Sequence, residues 1–237
     1  MQDIQKQLII SAQEKGIEVS AEQAQHFQKY MEVLLTWNEK MNLTAIKEPC
    51  EVAEKHFLDS ILILNYLNIP AGAKLIDVGT GAGFPGIPLK IIQPKLELTL
   101  LDGLKKRLIF LKEVLDTLHF SADLVHARAE EGGRQKPYRG QYDLVTARAV
   151  APLNLLCEYC LPFLKMGGTF IAMKGPNPQE EVEKAKNAIA LLGCVLTNME
   201  EFTLPGGDRR SLLFMQRDKL LPAIYPRHGA KISKNPL

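Results

Sequence analysis

Leu75-Ile76-Asp77-Val78-Gly79-Thr80-Gly81-Ala82-Gly83-Phe84-Pro85-Gly86 decides how the rest of the chain is read. A short apolar run ends in an acid and then in a turn with four glycines in eight positions. Glycine has no Cβ, so such a turn takes backbone angles closed to other residues and lets another molecule approach within contact distance. A plain strand-to-helix turn is short and needs fewer glycines. Two nucleotide-loop patterns overlap here. Gly81, Gly83 and Gly86 spell GxGxxG, the dinucleotide fingerprint. Asp77, Gly79, Gly81 and Gly83 spell an acid followed by GxGxG.

Downstream of this stretch, apolar strand patterns alternate with amphipathic ones. Strands are expected at 74–78, 97–102, 123–126, 142–147 and 169–174, with helices at 85–92, 104–118, 152–164 and 179–192. Continuous apolar strands separated by helices indicate a parallel sheet covered on both faces. The ending differs. Strand-like runs at 195–203 and 211–217 are joined by Leu204-Pro205-Gly206-Gly207-Asp208, a loop short enough only for antiparallel neighbours. The expected fold is therefore α/β: a Rossmann-like, seven-stranded sheet whose last strand is antiparallel.

Upstream, the first 70 residues read as helices. One spans 3–15 and ends at Gly16. A second begins at the Ser20/Gln23 capping box and carries Ala24, Phe27, Met31, Leu34, Leu35 and Met41 near the 3.6-residue period, with Trp37 beside them. A third starts at Pro49, runs to about Leu67, and bears Val52, Phe57, Ile61 and Leu64. These helices are expected to cover one flank of the sheet, and His56 is a candidate for a substrate wall. The division expected is 1–70 helical extension, 71–219 catalytic domain and 220–237 basic tail, the tail irregular in structure.

Composition narrows the class. Apolar residues make up 46% and charged residues 24% of 237, as in ordinary globular proteins. Apolar runs such as Ile61 to Leu64 are far too short to span a bilayer. The N-terminus lacks a basic segment followed by an apolar one, which leads to the expectation of a cytoplasmic protein. Cys157 and Cys160 form a C-x-x-C pair within an apolar run, without a second pair or a nearby histidine, so packing is expected of them and no metal site. Net charge is only +2, yet residues 205–237 hold seven basic and two acidic side chains. A basic end on a mildly acidic body suggests a polyanionic partner.

In an open α/β sheet the ligand lies beyond the carboxyl ends of the strands. After the second strand comes Asp102, nineteen residues past Gly83, placed to accept from both hydroxyls of a ribose. After the third come Ala129 and Glu130, and after the fourth Arg148. A ribose is common to nicotinamide cofactors and to S-adenosylmethionine. Asp77 favours the second, because its carboxylate would repel a pyrophosphate and suits a cationic amino-acid group. Pro85 and Pro88 remove amide donors that a pyrophosphate would use. The terminal hairpin points the same way, to a class I S-adenosylmethionine-dependent methyltransferase. The fourth strand lacks the Asn/Asp-Pro-Pro-aromatic motif of amino-group methylation, and the nearest cysteine, Cys157, lies in a helix. A ring nitrogen with a free lone pair, such as guanine N7, needs neither device.

The run Asp77 to Leu89 resembles the cofactor loop of the glucose-inhibited division protein B family, bacterial small-subunit ribosomal RNA guanine-N7 methyltransferases. The likeness extends to Asn42-Leu43-Thr44, His56-x-x-Asp59-Ser60, Leu100-Leu101-Asp102, Lys106-Arg107, Arg148-Ala149, Met173-Lys174-Gly175 and the tail from Tyr225-Pro226-Arg227 to Pro236-Leu237. Gly103 and Ala230-Lys231 depart from the family pattern. The resemblance implies a monomeric enzyme methylating guanine 527 in the 530 loop of 16S RNA within the small ribosomal subunit. It implies cofactor contacts at Gly79, Phe84, Asp102, Ala129, Glu130 and Arg148, to which the reading of the glycine loop adds Asp77, Gly81 and Gly83. Lys174, Arg209, Arg210 and Arg227 are the RNA-contact candidates, because phosphate contacts accumulate through counterion release. No residue is expected to act as an acid or base. A small-molecule methyltransferase and a non-enzymatic nucleotide-binding module are the alternatives.

Overall fold

The computed structural model describes residues 2–237. Seven strands form one sheet in the order β3-β2-β1-β4-β5-β7-β6: β1 Lys74–Val78, β2 Glu97–Asp102, β3 Asp123–His126, β4 Tyr142–Arg148, β5 Leu164–Lys174, β6 Cys194–Thr203 and β7 Arg209–Arg217. The first five are mutually parallel, and β7 runs antiparallel between β5 and β6. The chain winds outward through β2 and β3, then returns to place β4 on the other side of β1. That reversal opens a crevice at the carboxyl ends of β1 and β4.

Local sequence explains most boundaries. Leu75, Ile76 and Val78 are fully buried because helices cover both faces of β1. On one face Gly86–Ile92 and Lys105–Leu118 pack with the N-terminal helices; on the other lie Leu153–Cys160 and Gln179–Leu191. β5 begins five residues before the expected position. Gly168 lies under the Tyr142 and Asp143 carbonyls, where a Cβ would stand 2.9 and 3.0 Å from them, and the β4–β5 register shifts at this point. The helix expected to reach residue 164 ends at Cys160, and Leu161–Phe163 follows as a 3₁₀ turn at Pro162. Cys157 and Cys160 are both fully buried, as packing requires.

The N-terminal helices share one core with the sheet. Phe27, Tyr30 and Phe57 are almost fully buried with Leu100, Phe110 and Leu111. Each large side chain sequestered in this way contributes about 1.5–3 kcal/mol. The capping box at Ser20 forms as expected. Gln23 extends it, donating through Nε2 to the Ile91 and Ile92 carbonyls at the end of Gly86–Ile92 (3.3 and 3.2 Å). The third helix differs from expectation. Pro49–Val52 is α-helical, Ala53–Leu58 is a π turn, Asp59–Ile61 is α again and Leu62–Asn65 is 3₁₀. Such bulges recur at functional sites because the extra residue re-aims its neighbours. This one carries His56.

The tail is not irregular throughout. Arg139 donates to the Tyr225 and Pro222 carbonyls (2.6 and 3.3 Å), and Arg134 donates to that of Pro226 (2.7 Å). The chain then forms a short helix, Gly229–Lys234, on the flank of the crevice. Among the described residues, no helix is long and apolar enough to cross a membrane.

Candidate active site

The crevice is a cavity of about 980 Å³. Its floor is the loop after β1, Gly79 to Phe84. One end is walled by Asp102, Ala129 and Glu130, from the ends of β2 and β3, and by the tail residues His228 to Ala230. The other end is walled by Arg148 to Val150 after β4 and by Thr44 and His56 from the helical extension. Seven of the nine expected cofactor residues therefore line one cavity: Gly79, Gly81, Phe84, Asp102, Ala129, Glu130 and Arg148.

The remaining two, Asp77 and Gly83, stand behind the wall. Asp77 is 1% exposed, and its carboxylate is consumed by the loop. Oδ2 accepts from Thr80 Oγ1 (2.6 Å) and the Gly86 amide (3.1 Å), while Oδ1 accepts from Thr146 Oγ1 (2.9 Å). Burial pushes its carboxyl pKa up, and these three hydrogen bonds work against that. Asp77 thus clamps the loop to β4 and does not face a cationic ligand. Gly83 has φ +95°, and a Cβ there would stand 2.5 Å from Tyr30 Oη and 2.8 Å from Ile87 Cδ1. Its small size serves packing. Gly81 is the opposite case. It has φ +59° and opens on the cavity, with only the Gly79 carbonyl within 4 Å of an added methyl, at 3.9 Å.

Asp102 is 2% exposed and lies at the end of β2, on the cavity wall. Oδ1 accepts from the Leu104 amide (2.8 Å); Oδ2 accepts from the Gly81 amide (3.0 Å) and Arg107 Nη1 (3.3 Å). A carboxylate offers about four acceptor positions, so roughly one remains for a ligand hydroxyl. The same bonds tie the glycine loop to the end of β2.

At the far end, Phe84 is the centre of a stack. The His56 ring lies on it at 4.6 Å between centroids, and the Arg148 guanidinium lies over it at 4.8 Å. Arg148 Nη1 donates to the Lys55 carbonyl (3.1 Å) and Asp59 Oδ2 (3.3 Å), and Nη2 reaches His56 Nδ1 (3.1 Å). Burial works against the charge of Arg148, and the neighbouring Asp59 carboxylate supports it. His56 is held neutral, its pKa pulled down to about 3 by burial first and by Arg148 second. His56 Nε2 lies 2.7 Å from Thr44 Oγ1. Thr44 and Asp59 were visible in the sequence only as motif members. The π turn that brings His56 under Arg148 has no distinctive composition.

The candidate RNA contacts separate into two kinds. Arg209 is exposed (55% of its side chain) and paired with Glu201 at 3.0 Å. Arg210 is partly buried, 3.6 Å from Asp59 and 3.4 Å from Asp208. Lys174 is 10% exposed and bound to the Ala151 carbonyl and Glu181 (2.8 and 2.6 Å), so it pins the loop after β4. Arg227 is 12% exposed and forks onto the buried Glu158, with Nε and Nη2 at 2.9 and 2.6 Å from its two oxygens. Lys174 and Arg227 therefore hold the structure together and offer no free charge to a phosphate.

The fold is shared with solved structures of low sequence identity. A precorrin-6y C5,15-methyltransferase from Geobacter metallireducens aligns with TM-score 0.51 at 15% identity, covering 67% of this chain and 86% of that one. A putative methyltransferase from Bacillus halodurans aligns with TM-score 0.50 at 12% identity, covering 68% and 99%. Sequence relatives are much nearer. The ribosomal RNA small subunit methyltransferase G of Alkaliphilus metalliredigens is 51% identical over 227 residues, 95% of each chain. That of Acetivibrio thermocellus is 49% identical over 236 residues, covering 99% of this chain and 97% of its own. A family profile described as rRNA small subunit methyltransferase G matches residues 23–212, so this chain belongs to that family.

Proposed function

We propose that this chain transfers the methyl group of S-adenosylmethionine to N7 of a guanine in small-subunit ribosomal RNA. The observation that carries the reading is the two-ended cavity at the switch point of the sheet. Its volume lies at the upper limit of small-molecule sites, roughly 300–1,000 Å³, so it has room for a reacting group beside a cofactor. Gly81 leaves its part of the floor open, Asp102 keeps an acceptor for a ribose hydroxyl, and Ala129 and Glu130 border the place of an adenine. When bound there, the cofactor supplies an electrophilic methyl on a sulfonium.

The chain's own task is alignment. N7 carries no proton and offers its lone pair directly, so the new N–C bond forms as the S–C bond breaks, and the sulfur keeps the electron pair. No base is required, and the gain comes from holding the two reactants in line. His56, neutral and hydrogen-bonded on both sides, suits positioning better than proton transfer. The proposed division of labour follows the three segments 1–70, 71–219 and 220–237. The middle one holds the cofactor, the first walls the acceptor end, and the last closes the adenosine end.

For RNA, the exposed cations are Arg209, with Lys105, Lys106 and Arg128 beside the cavity mouth. Transfer of a tritiated methyl to small subunits lacking the modification tests the reading, with 7-methylguanine identified by its sensitivity to aniline cleavage. Label confined to small metabolites, or to a base other than guanine, refutes it.

A further inference from the structure

Thr44 lines the cavity beside His56 and Arg148, the latter on β4, which lies on the opposite side of β1 from the strand of Asp102. Its hydrogen-bond partners determine which way its hydroxyl can act. His56 Nδ1 lies 3.1 Å from both Arg148 Nη2 and the Lys55 carbonyl. That carbonyl already accepts from Arg148 Nη1 at 3.1 Å, and a guanidinium has only donors, so a proton on Nδ1 would face a charged donor; the charge-assisted bond is the stronger, and Nδ1 accepts and carries no proton. The neutral ring then carries its proton on Nε2, which donates to Thr44 Oγ1 at 2.7 Å. The Ile46 amide donates to the same oxygen at 3.1 Å. A hydroxyl has two lone pairs and one proton. Both lone pairs of Thr44 are taken, and among the described residues no acceptor receives its O–H.

We propose that the Thr44 hydroxyl donates to O6 of the acceptor purine and thereby selects guanine, with His56, fixed by Arg148, as the positioning residue that keeps this hydroxyl a donor. The inference rests on the reading of guanine N7 as the acceptor. When N7 faces the methyl, the only other group on that edge of the base is at C6. Guanine presents a carbonyl acceptor there, and adenine presents an amino donor. A freely rotating hydroxyl would suit either base. One with both lone pairs occupied suits guanine alone, because adenine would set donor against donor.

The test uses the full chain and small subunits reconstituted with guanine, 2-aminopurine or adenine at the target position. 2-Aminopurine keeps N7 and the 2-amino group but has only hydrogen at C6. Methyl-transfer rate and RNA affinity in the presence of S-adenosylhomocysteine are both measured. Wild-type protein is expected to lose roughly ten- to hundredfold in kcat/KM on 2-aminopurine, with weaker RNA binding. Thr44→Val is expected to lose the same factor on guanine and nothing further on 2-aminopurine. Thr44→Ser, which keeps the hydroxyl, stays within a few fold of wild type. His56→Phe frees one lone pair of Thr44 and lowers the ratio of guanine to adenine methylation.

Equal wild-type rates on guanine and 2-aminopurine overturn the proposal without recourse to any variant. So does a Thr44→Val loss of the same size on both bases. Should wild type place no methyl on N7 of guanine, the functional reading itself falls and takes this inference with it. The two failures are therefore distinct.

Discussion

Gly81 and Gly83 look alike in sequence, both with positive φ in one loop, yet the structure predicts different failures when each becomes alanine. At Gly83 (φ +95°) the new methyl would meet Tyr30 Oη at 2.5 Å, Ile87 Cδ1 at 2.8 Å and Leu111 Cδ2 at 3.0 Å. Backbone strain costs about 1–2 kcal/mol and overpacking about 1–3 kcal/mol. Displacing Tyr30, which donates to the Ala82 carbonyl, adds about 1 kcal/mol. The total is about 3–6 kcal/mol, or roughly 6–24 °C in melting temperature for a chain of this size. At Gly81 (φ +59°) the methyl meets only the Gly79 carbonyl at 3.9 Å, so backbone strain of about 1–2 kcal/mol is the whole cost. That methyl enters the cavity, and affinity for S-adenosylhomocysteine should fall at least about tenfold, more than 1.4 kcal/mol. Thermal melts and calorimetric titration of the two variants decide the matter. Gly83→Ala should melt early yet bind the ligand at low temperature; Gly81→Ala should melt only about 2–8 °C below wild type and bind poorly. A Gly83→Ala protein melting within about 2 °C of wild type, or a Gly81→Ala protein of unchanged affinity, would show that the assignment of packing and ligand faces is wrong.

Arg227→Ala leaves the buried Glu158 carboxylate with the residue-227 amide but without its countercharge and should destabilise the fold by about 3–5 kcal/mol, with no change in the salt dependence of RNA binding. Arg209→Glu should do the reverse, lowering the salt slope by about one or more at nearly unchanged melting temperature; interchanged results would make Arg227 an RNA contact after all. His56 makes the folded state harder to protonate, since its pKa falls from 6.5 to about 3. The unfolded chain therefore takes up the proton first as pH drops. Wild type should lose about 2 kcal/mol relative to His56→Asn between pH 7 and pH 5, with little change above pH 7. Denaturant titrations of both proteins at the two pH values measure this, and a constant difference would mean that His56 titrates normally.

What neighbouring residues dictate was legible in the chain. β1, β2 and β3 fall on the expected residues, because an apolar run bounded by turn residues is a local pattern, required in β1 and β2 by burial on both faces and kept by the edge strand β3 at Leu124 and Val125. The capping box at Ser20, the antiparallel hairpin and the seven glycine-loop and strand-end residues that meet in one cavity were readable for the same reason. Partners distant in sequence were not. An arginine reads identically whether its fork closes on Glu158 or on a phosphate, and a lysine whether it holds Glu181 or RNA. Asp77 precedes the glycines as a ligand acid would, but Thr80, Thr146 and Gly86 consume its oxygens. The π turn that lays His56 on Phe84 follows from packing against the sheet, since its own residues would equally well continue an α-helix. The chain alone determined which strand ends line the cavity, because backbone sterics and apolar periodicity act between near neighbours. The tertiary structure decided which charges are free, which glycine faces the cavity and which side chains pair with Thr44, because each depends on a partner the fold brings from elsewhere in the chain.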